Sequence, residues 1–395
     1  MARYRAGASV RIRALLFAVA AGAAIVLVGT RFMDAPSSSV PRSVAEHTPT
    51  SGIKAPSPSA QPPPENGCDR LLAGLGSRDR LAQLVMAGLD PADEAAATRA
   101  VTVDGVGAVF IGGNATHLLT EGRLPALRAK SGLPLLTAVD EEGGRVQRID
   151  ALDGPMPSAR RVAATMSPPQ VVELAERRGQ QLLARGVVMD LAPVADVSAA
   201  AADTVIGDRA FGGDASTVST YAGAYAEGLR RAGVIPVLKH FPGHGNATGD
   251  SHQGLVRTPP LAALEAHDLL PYTRLLSRGA SVVMLGHLDV PGLTDGLPAT
   301  LSPAAYRLLR EKYGFTGVAM TDDLGAMRAV TDQYSLPEAV TKAIQAGADI
   351  ALWSAPSPVG PVLDRLERGM RTGELSEQRV RDAVTRVLRL KTGCR

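Results

Sequence analysis

What most constrains the fold of this chain is a repeated alternation that starts near residue 67. Short apolar runs rich in Val, Ile and Leu alternate with longer Ala-, Leu-, Arg- and Glu-rich segments of helical period. An unbroken apolar run suits a strand covered on both faces, and the helical segments between the runs supply that cover as crossovers, so the pattern specifies β-α units around a parallel sheet. The expected strands are 83–88, 107–112, 133–140, 186–193, 235–240, 281–287, 317–322 and 349–354. Eight such runs fit one (β/α)8 barrel of the TIM type better than two domains. Expected helices lie at 167–185, 215–232, 261–278, 303–313 and 335–347, with a closing helix at 376–392.

Ahead of the barrel the composition changes twice. Arg3, Arg5, Arg11 and Arg13 precede an uncharged apolar run at 14–30, just short of a full bilayer span. Arginines before such a run keep that end in the cytoplasm, so everything downstream is expected to be exported, whether residues 1–34 are a cleaved signal peptide or a retained signal anchor. A buried core helix is the competing reading, and it is weakened because a Pro-rich stretch rather than a second helix follows. No cysteine near the end of the run could carry a lipid. Residues 35–66, rich in Pro, Ser and Thr, are expected to form a disordered, solvated linker, and 67–395 the catalytic barrel.

The net charge of +3 and the isoelectric point near 8.9 come from the leading arginines. The remaining chain is close to neutral and lacks the basic excess that nucleic-acid binding needs. With 45% hydrophobic and 21% charged residues, wholly disordered, collagen-like and coiled-coil chains are excluded. Cys68 and Cys394, the two cysteines of the chain, bracket the barrel. In an oxidising compartment a disulfide joining the domain ends is the economical reading, against two unpaired buried thiols.

Polar residues interrupt the apolar pattern at the same place in five of the repeats. Asp140, Asp196, Lys239 with His240, His287 and Asp322 each sit at the C-terminal end of a different expected strand. That end of a barrel is where such folds build active sites. Asp322 closes an apolar stretch, where a carboxylate is costly unless it is used.

Four segments carry a more specific signal: Asp140-Glu141-Glu142-Gly143-Gly144-Arg145-Val146-Gln147-Arg148; Val205-Ile206-Gly207-Asp208-Arg209-Ala210-Phe211; Lys239-His240-Phe241-Pro242-Gly243-His244-Gly245 with Asp250-Ser251-His252 after it; and Met320-Thr321-Asp322-Asp323-Leu324. Together, in this order, they resemble the bacterial β-N-acetylglucosaminidases of glycoside hydrolase family 3, the single-domain kind that acts on cell-wall fragments. The resemblance runs from about residue 70 to 392. It implies that Asp322 is the nucleophile of a retaining exo-hydrolase and that His252, held by Asp250, is the acid and base. It also implies that Asp140, Arg148, Arg209, Lys239 and His240 contact the terminal N-acetylglucosamine. Two departures bear on substrate preference: Glu141 stands where Gln is common, and Asn246 where an acid is frequent.

The chemistry is consistent on its own terms. Retention needs a carboxylate to attack the anomeric carbon and a proton donor on the leaving oxygen. An imidazole, with an ordinary pKa of about 6.5, can give that proton and take one back. Residues two apart can share one side of an extended or turning loop, so Asp250 can orient the His252 ring. Pro242, Gly243, Gly245 and Gly249 suggest a loop able to close over sugar. Asp323 is expected to support local structure, Asp208 to fix Arg209, and Arg145 to pair with Glu141 or Glu142 at the rim. His287 reads equally as a pocket residue or a satisfied core histidine.

The expected substrates are peptidoglycan fragments ending in β-N-acetylglucosamine, cleaved by a monomer without metal or organic cofactor. The membrane is touched only through the N-terminal segment. Phosphate attack on the same intermediate is the runner-up, since a histidine donor adds no negative charge against an incoming anion. β-Glucosidase or β-xylosidase activity comes next. A metal hydrolase built from His240, His244, His252 and His287 with Asp196 and Asp322, and a non-catalytic wall-binding module, are the readings from other classes.

Overall fold

A computed structural model describes residues 67–395; the N-terminal apolar segment and the Pro-rich linker lie outside the described residues. Among the described residues ten strands occur in chain order: β1 Val85–Leu89, β2 Ala108–Ile111, β3 Leu136–Val139, β4 Met189–Asp190, β5 Ile235–Phe241, β6 Val256–Arg257, β7 Val282–Leu285, β8 Leu288–Asp289, β9 Val318–Thr321 and β10 Ala351–Trp353. Eight of them form one parallel sheet in the order β10-β1-β2-β3-β4-β5-β7-β9. A parallel bridge from Met320 to Ile350 joins β9 to β10, so the sheet nearly closes into a barrel. Each expected strand overlaps one of these eight, and nearly every residue in them is buried, as strands covered by helices outside and packed side chains inside must be.

β6 and β8 make a separate small parallel pair, Val256 beside Leu288 and Arg257 beside Asp289. It ties the segment after the Lys-His-Phe-Pro motif to the segment after β7.

The helices start where their caps predict. Ser167 and Ser335 each close a capping box, with Gln170 and Glu338, ahead of Pro168–Ala184 and Leu336–Ala346. One expected helix is interrupted. The segment 261–278 forms Leu261–Ala266 and Leu270–Ser277, because His267 leaves helical geometry (φ −141°, ψ −70°) and turns Asp268 inward, where it is 2% exposed.

The end of the barrel opposite the strand C-termini is held by Asp349, just ahead of β10. Its buried carboxylate accepts from Arg310 (2.5 Å), Arg379 (2.8 Å) and Arg386 (3.2 Å). Cys68 and Cys394 form a disulfide with a Cα–Cα distance of 5.2 Å, which excludes the free-thiol alternative and joins the first described helix to the chain end.

Candidate active site

Asp140 follows β3 directly and β5, on the far side of β4, carries Lys239, so the strand ends bring an acid and a cation together across the intervening strand. Lys239 Nζ, 3% exposed, donates to Asp140 Oδ1 at 2.7 Å and lies 2.6 Å from Glu142 Oε1. Arg209, from the turn Gly207–Arg209, grips the same Glu142 with both arms, Nε to Oε2 and Nη2 to Oε1, each at 2.7 Å. Burial pushes the Glu142 carboxyl up, but Arg209 and Lys239 outweigh it and hold the acid far below its ordinary range. Arg148 Nη2 stands 3.5 Å from Asp140 Oδ2. Its backbone N–H donates to Glu141 Oε2 at 2.6 Å, and Ile149 N–H donates to the same oxygen at 3.1 Å. Glu141 is fully buried, and desolvation pushes its carboxyl up despite these donors.

At the end of β9 Asp322 is 9% exposed. Its Oδ1 accepts the Asp323 N–H at 2.9 Å. Burial pushes the Asp322 carboxyl up, while His240, His287, that N–H and Lys239 act in the opposite sense, and the net effect holds it below the ordinary carboxylate range. An ionised, desolvated carboxylate is a competent nucleophile. Asp323 turns the other way: Oδ1 accepts from Gly325 N–H (2.8 Å) and Ser354 N–H (3.0 Å), and Oδ2 accepts from Ser354 Oγ. His287 is a core residue, buried completely, with Nδ1 on Thr300 Oγ1 (2.7 Å) and Nε2 on the Asp323 carbonyl (2.8 Å).

Asp196 organises the next corner. One fully buried carboxylate receives His240 Nδ1 at 2.7 Å, His240 N–H at 3.3 Å and His244 N–H at 2.7 Å. The Lys239–His240 peptide is cis. Gly245 packs so closely that a Cβ there would stand 2.1 Å from the Val197 carbonyl oxygen, so no other residue fits this turn. At Gly243 the backbone φ is +127° and a Cβ would meet Asp268, the acid delivered by the helix break. Asp268 in turn accepts from Asn246 Nδ2 at 2.9 Å.

Farther along the loop His252 Nδ1 lies 2.8 Å from Asp250 Oδ1, and the His252 N–H donates to the same oxygen at 3.0 Å. The ring is 59% exposed, with its other nitrogen free to face solvent or a ligand.

A cleft of about 530 Å³ at the strand C-termini brings together Asp140, Arg148, His252 and Asp322, with Leu89, Phe110, Met284 and Met327 as apolar walls. Lys239, Arg209 and His240 do not line it. They stand behind the lining, on Asp140, Glu142 and Asp196 respectively, and Asp250 stands behind His252. Two expected pairings differ. Arg145 bonds Asp208 (2.9 Å) and the Ala202 carbonyl (2.5 Å) instead of Glu141 or Glu142, and Arg209 is fixed by Glu142 instead of Asp208. Depth explains the exchange: Arg209 reaches the buried acid, and Arg145, on the rim, takes the partly exposed one. Of the histidines in the metal-centre reading, the rings of His240 and His252 are held by Asp196 and Asp250, His287 lies in the core, and His244 gives Asp196 only its backbone N–H. Among the described residues no three His, Cys, Asp or Glu side chains converge as metal ligands. Sequence reasoning gave Glu142 only as a rim partner for Arg145, although an acid two residues past a strand-end Asp was a usable signal for a site residue. Nothing in the sequence marked Asp268.

Residues 77–390 match the family model described as the glycosyl hydrolase family 3 N-terminal domain. The chain is 48% identical over 351 residues, 87% of its own length and 90% of the other's, to a Mycobacterium tuberculosis protein named β-hexosaminidase LpqI. A crystal structure of a family 3 glycosyl hydrolase from Mycobacterium smegmatis superposes with a TM-score of 0.79 at 49% identity, covering 82% of this chain and 99% of that one. A family 3 β-N-acetylglucosaminidase from Paenibacillus gives a TM-score of 0.74 at 31% identity, covering 80% of this chain and 63% of that one.

Proposed function

This chain belongs to glycosyl hydrolase family 3 and is a glycoside hydrolase of the β-hexosaminidase type, and on that premise we propose that it is a retaining exo-β-N-acetylglucosaminidase acting on peptidoglycan fragments. The observation that carries the proposal is the single cleft in which a buried, ionised Asp322 and a carboxylate-backed His252 share the lining with Asp140 and Arg148.

In the first step an Asp322 carboxylate oxygen attacks the anomeric carbon. The bond to the leaving oxygen breaks, and that oxygen takes the proton from His252 Nε2. Asp250, on the other ring nitrogen, stabilises the imidazolium before the transfer. In the second step the now neutral imidazole takes a proton from water as the water oxygen displaces Asp322, and two inversions leave the β configuration. Asp140 and Arg148 present an acceptor and a donor to vicinal hydroxyls. Lys239, Arg209 and Glu142 hold Asp140 and its surroundings in place from behind.

Export follows from the arginine-led apolar segment, and the Cys68–Cys394 disulfide supports an oxidising compartment. Among the described residues no helix is long and apolar enough to cross a membrane. Phosphorolysis is not favoured by the hexosaminidase relatives. The test is Asp322→Ala on an aryl N-acetylglucosaminide and on disaccharide fragments, with the first-formed anomer read by NMR and phosphate varied. The expected result is activity below about one thousandth of wild type and a β product from the wild-type enzyme. Persisting activity in the variant refutes the nucleophile, an α first product refutes retention, and a sugar 1-phosphate as main product refutes hydrolysis.

A further inference from the structure

We infer that Ser251, seated against Met327, is a positioning residue that latches the loop carrying Asp250 and His252 onto the chain segment following Asp322. The inference rests on the reading of His252 as the acid and base.

The loop is fixed at its base and hinged above it. Thr248 N–H donates to the Arg257 carbonyl at 3.0 Å, and Val256–Arg257 pairs with Leu288–Asp289. Above that base Gly249 and Gly254 have φ of +108° and +158°, and a Cβ at Gly254 would meet nothing within 4 Å, so the arc between them has few steric restraints of its own. Within that arc Ser251 is the one buried residue, 3% exposed, between the exposed ring of His252 and the partly exposed carboxylate of Asp250. A turn accounts for this: the Gln253 N–H donates to the Asp250 carbonyl at 2.8 Å and the His252 N–H to the Asp250 carboxylate at 3.0 Å, which keeps Asp250 and His252 together while Ser251 is buried.

Two contacts hold Ser251 down. Its Oγ lies 3.5 Å from Met327 Sδ. Its carbonyl accepts the Ala329 N–H at 3.2 Å. Ala329 lies in the first turn of the helix Arg328–Thr331, where backbone N–H groups lack partners within the helix, so the loop carbonyl satisfies a donor that would otherwise need water. The receiving segment is tied to Asp322 in turn, because Asp323 is anchored to Gly325 and Ser354. The nucleophile and the acid therefore sit on two chain segments joined by one latch, and the latch sets where His252 stands over the cleft.

The test separates proton donation from general damage. A dinitrophenyl N-acetylglucosaminide has a leaving group that needs little protonation, whereas an alkyl glycoside or disaccharide needs it fully. Ser251→Val adds bulk under the loop, and Ser251→Ala keeps the space. Ala329→Pro removes the donor from the other side at a first-turn position where proline is tolerated. General acid catalysis is worth about 100- to 10,000-fold, so displacing the acid without removing it should lower kcat/KM of Ser251→Val on the disaccharide by roughly 10- to 100-fold, with less than about threefold loss on the dinitrophenyl substrate. Ala329→Pro should repeat that split, and Ser251→Ala, which removes the Oγ contact with Met327 but keeps the backbone one, should show the same split with a smaller loss on the disaccharide. Equal losses on the two substrates, or no loss on either, overturn the latch. His252→Ala in parallel keeps the two readings apart: if it shows no such leaving-group dependence, the acid assignment fails instead.

Discussion

Replacing Glu142 with glutamine probes the centre of the ion network behind the cleft. The side chain is 3% exposed and receives two arms of Arg209 at 2.7 Å each and Lys239 at 2.6 Å. Glutamine keeps the shape but removes the negative charge and turns one acceptor into a donor that faces a cation. Removing one partner of a buried pair costs about 3–5 kcal/mol, because the remaining charge is left desolvated. Asp140 stays beside Lys239 and should keep the cost toward the lower end. With unfolding entropy near 2.1 cal/mol/K per residue, a domain of about 330 residues loses roughly 1.4 °C for each kcal/mol, so Tm should fall by about 4–7 °C.

The sign with pH follows from the shift. The folded-state pKa of Glu142 is depressed, so its contribution is fully present above the unfolded value and is lost as pH falls through the folded one, far into acid. The gap in Tm between wild type and variant should therefore be the same at pH 5 and pH 8 by calorimetry. Because Arg209 and Lys239 lose their common anchor, KM for an aryl N-acetylglucosaminide should rise by about tenfold, near 1.4 kcal/mol of binding. A Tm within 1 °C of wild type together with an unchanged KM would refute the argument that this carboxylate holds the site together.

Removing the disulfide with Cys68→Ser and Cys394→Ser opens a closure across 326 residues of sequence, and the denaturation midpoint should fall by an amount equivalent to about 2–4 kcal/mol; an unchanged midpoint would show that packing alone holds the ends. Asp349→Asn leaves Arg310, Arg379 and Arg386 facing one another around a neutral amide, so a loss of at least about 3 kcal/mol is expected in urea unfolding, with kcat unchanged in whatever fraction remains folded. Stability equal to wild type would mean that the arginines find other partners. Asp190 is fully buried, and desolvation raises its carboxyl well above the ordinary value. A raised folded pKa means that stability is complete below the unfolded pKa and is lost as pH rises toward the folded one. Asp190→Asn should therefore gain stability relative to wild type as pH rises from about 4 upward; a difference that does not change with pH in parallel melts would count against a neutral acid at this position.

Much of the architecture was legible without coordinates, because a strand buried on both faces must be apolar throughout, and eight such runs stand out against amphipathic helices. The helix break at His267 was not legible: 261–278 has a continuous helical pattern, and only the demand for an acid under Gly243 and Asn246 explains the turn. At the site, Asp140, Arg148, His252 and Asp322 could be selected because each sits at a strand end or in a motif, and the fold brings all four to one cleft.

Partnership was the part the sequence could not carry. Arg145 and Arg209 are equally basic, and Glu141, Glu142 and Asp208 equally acidic, so which pairs with which depends on depth below the rim. Glu142 lies deep enough to draw Arg209 and Lys239, and Asp208 lies near enough to solvent to meet Arg145. Local propensity and apolar periodicity act over a few residues and were sufficient to determine strands, helices and the end of the barrel where chemistry gathers. Electrostatic pairing acts through space between segments nearly a hundred residues apart, as Asp140 and Lys239 are, and only the folded barrel brings such segments within hydrogen-bond reach.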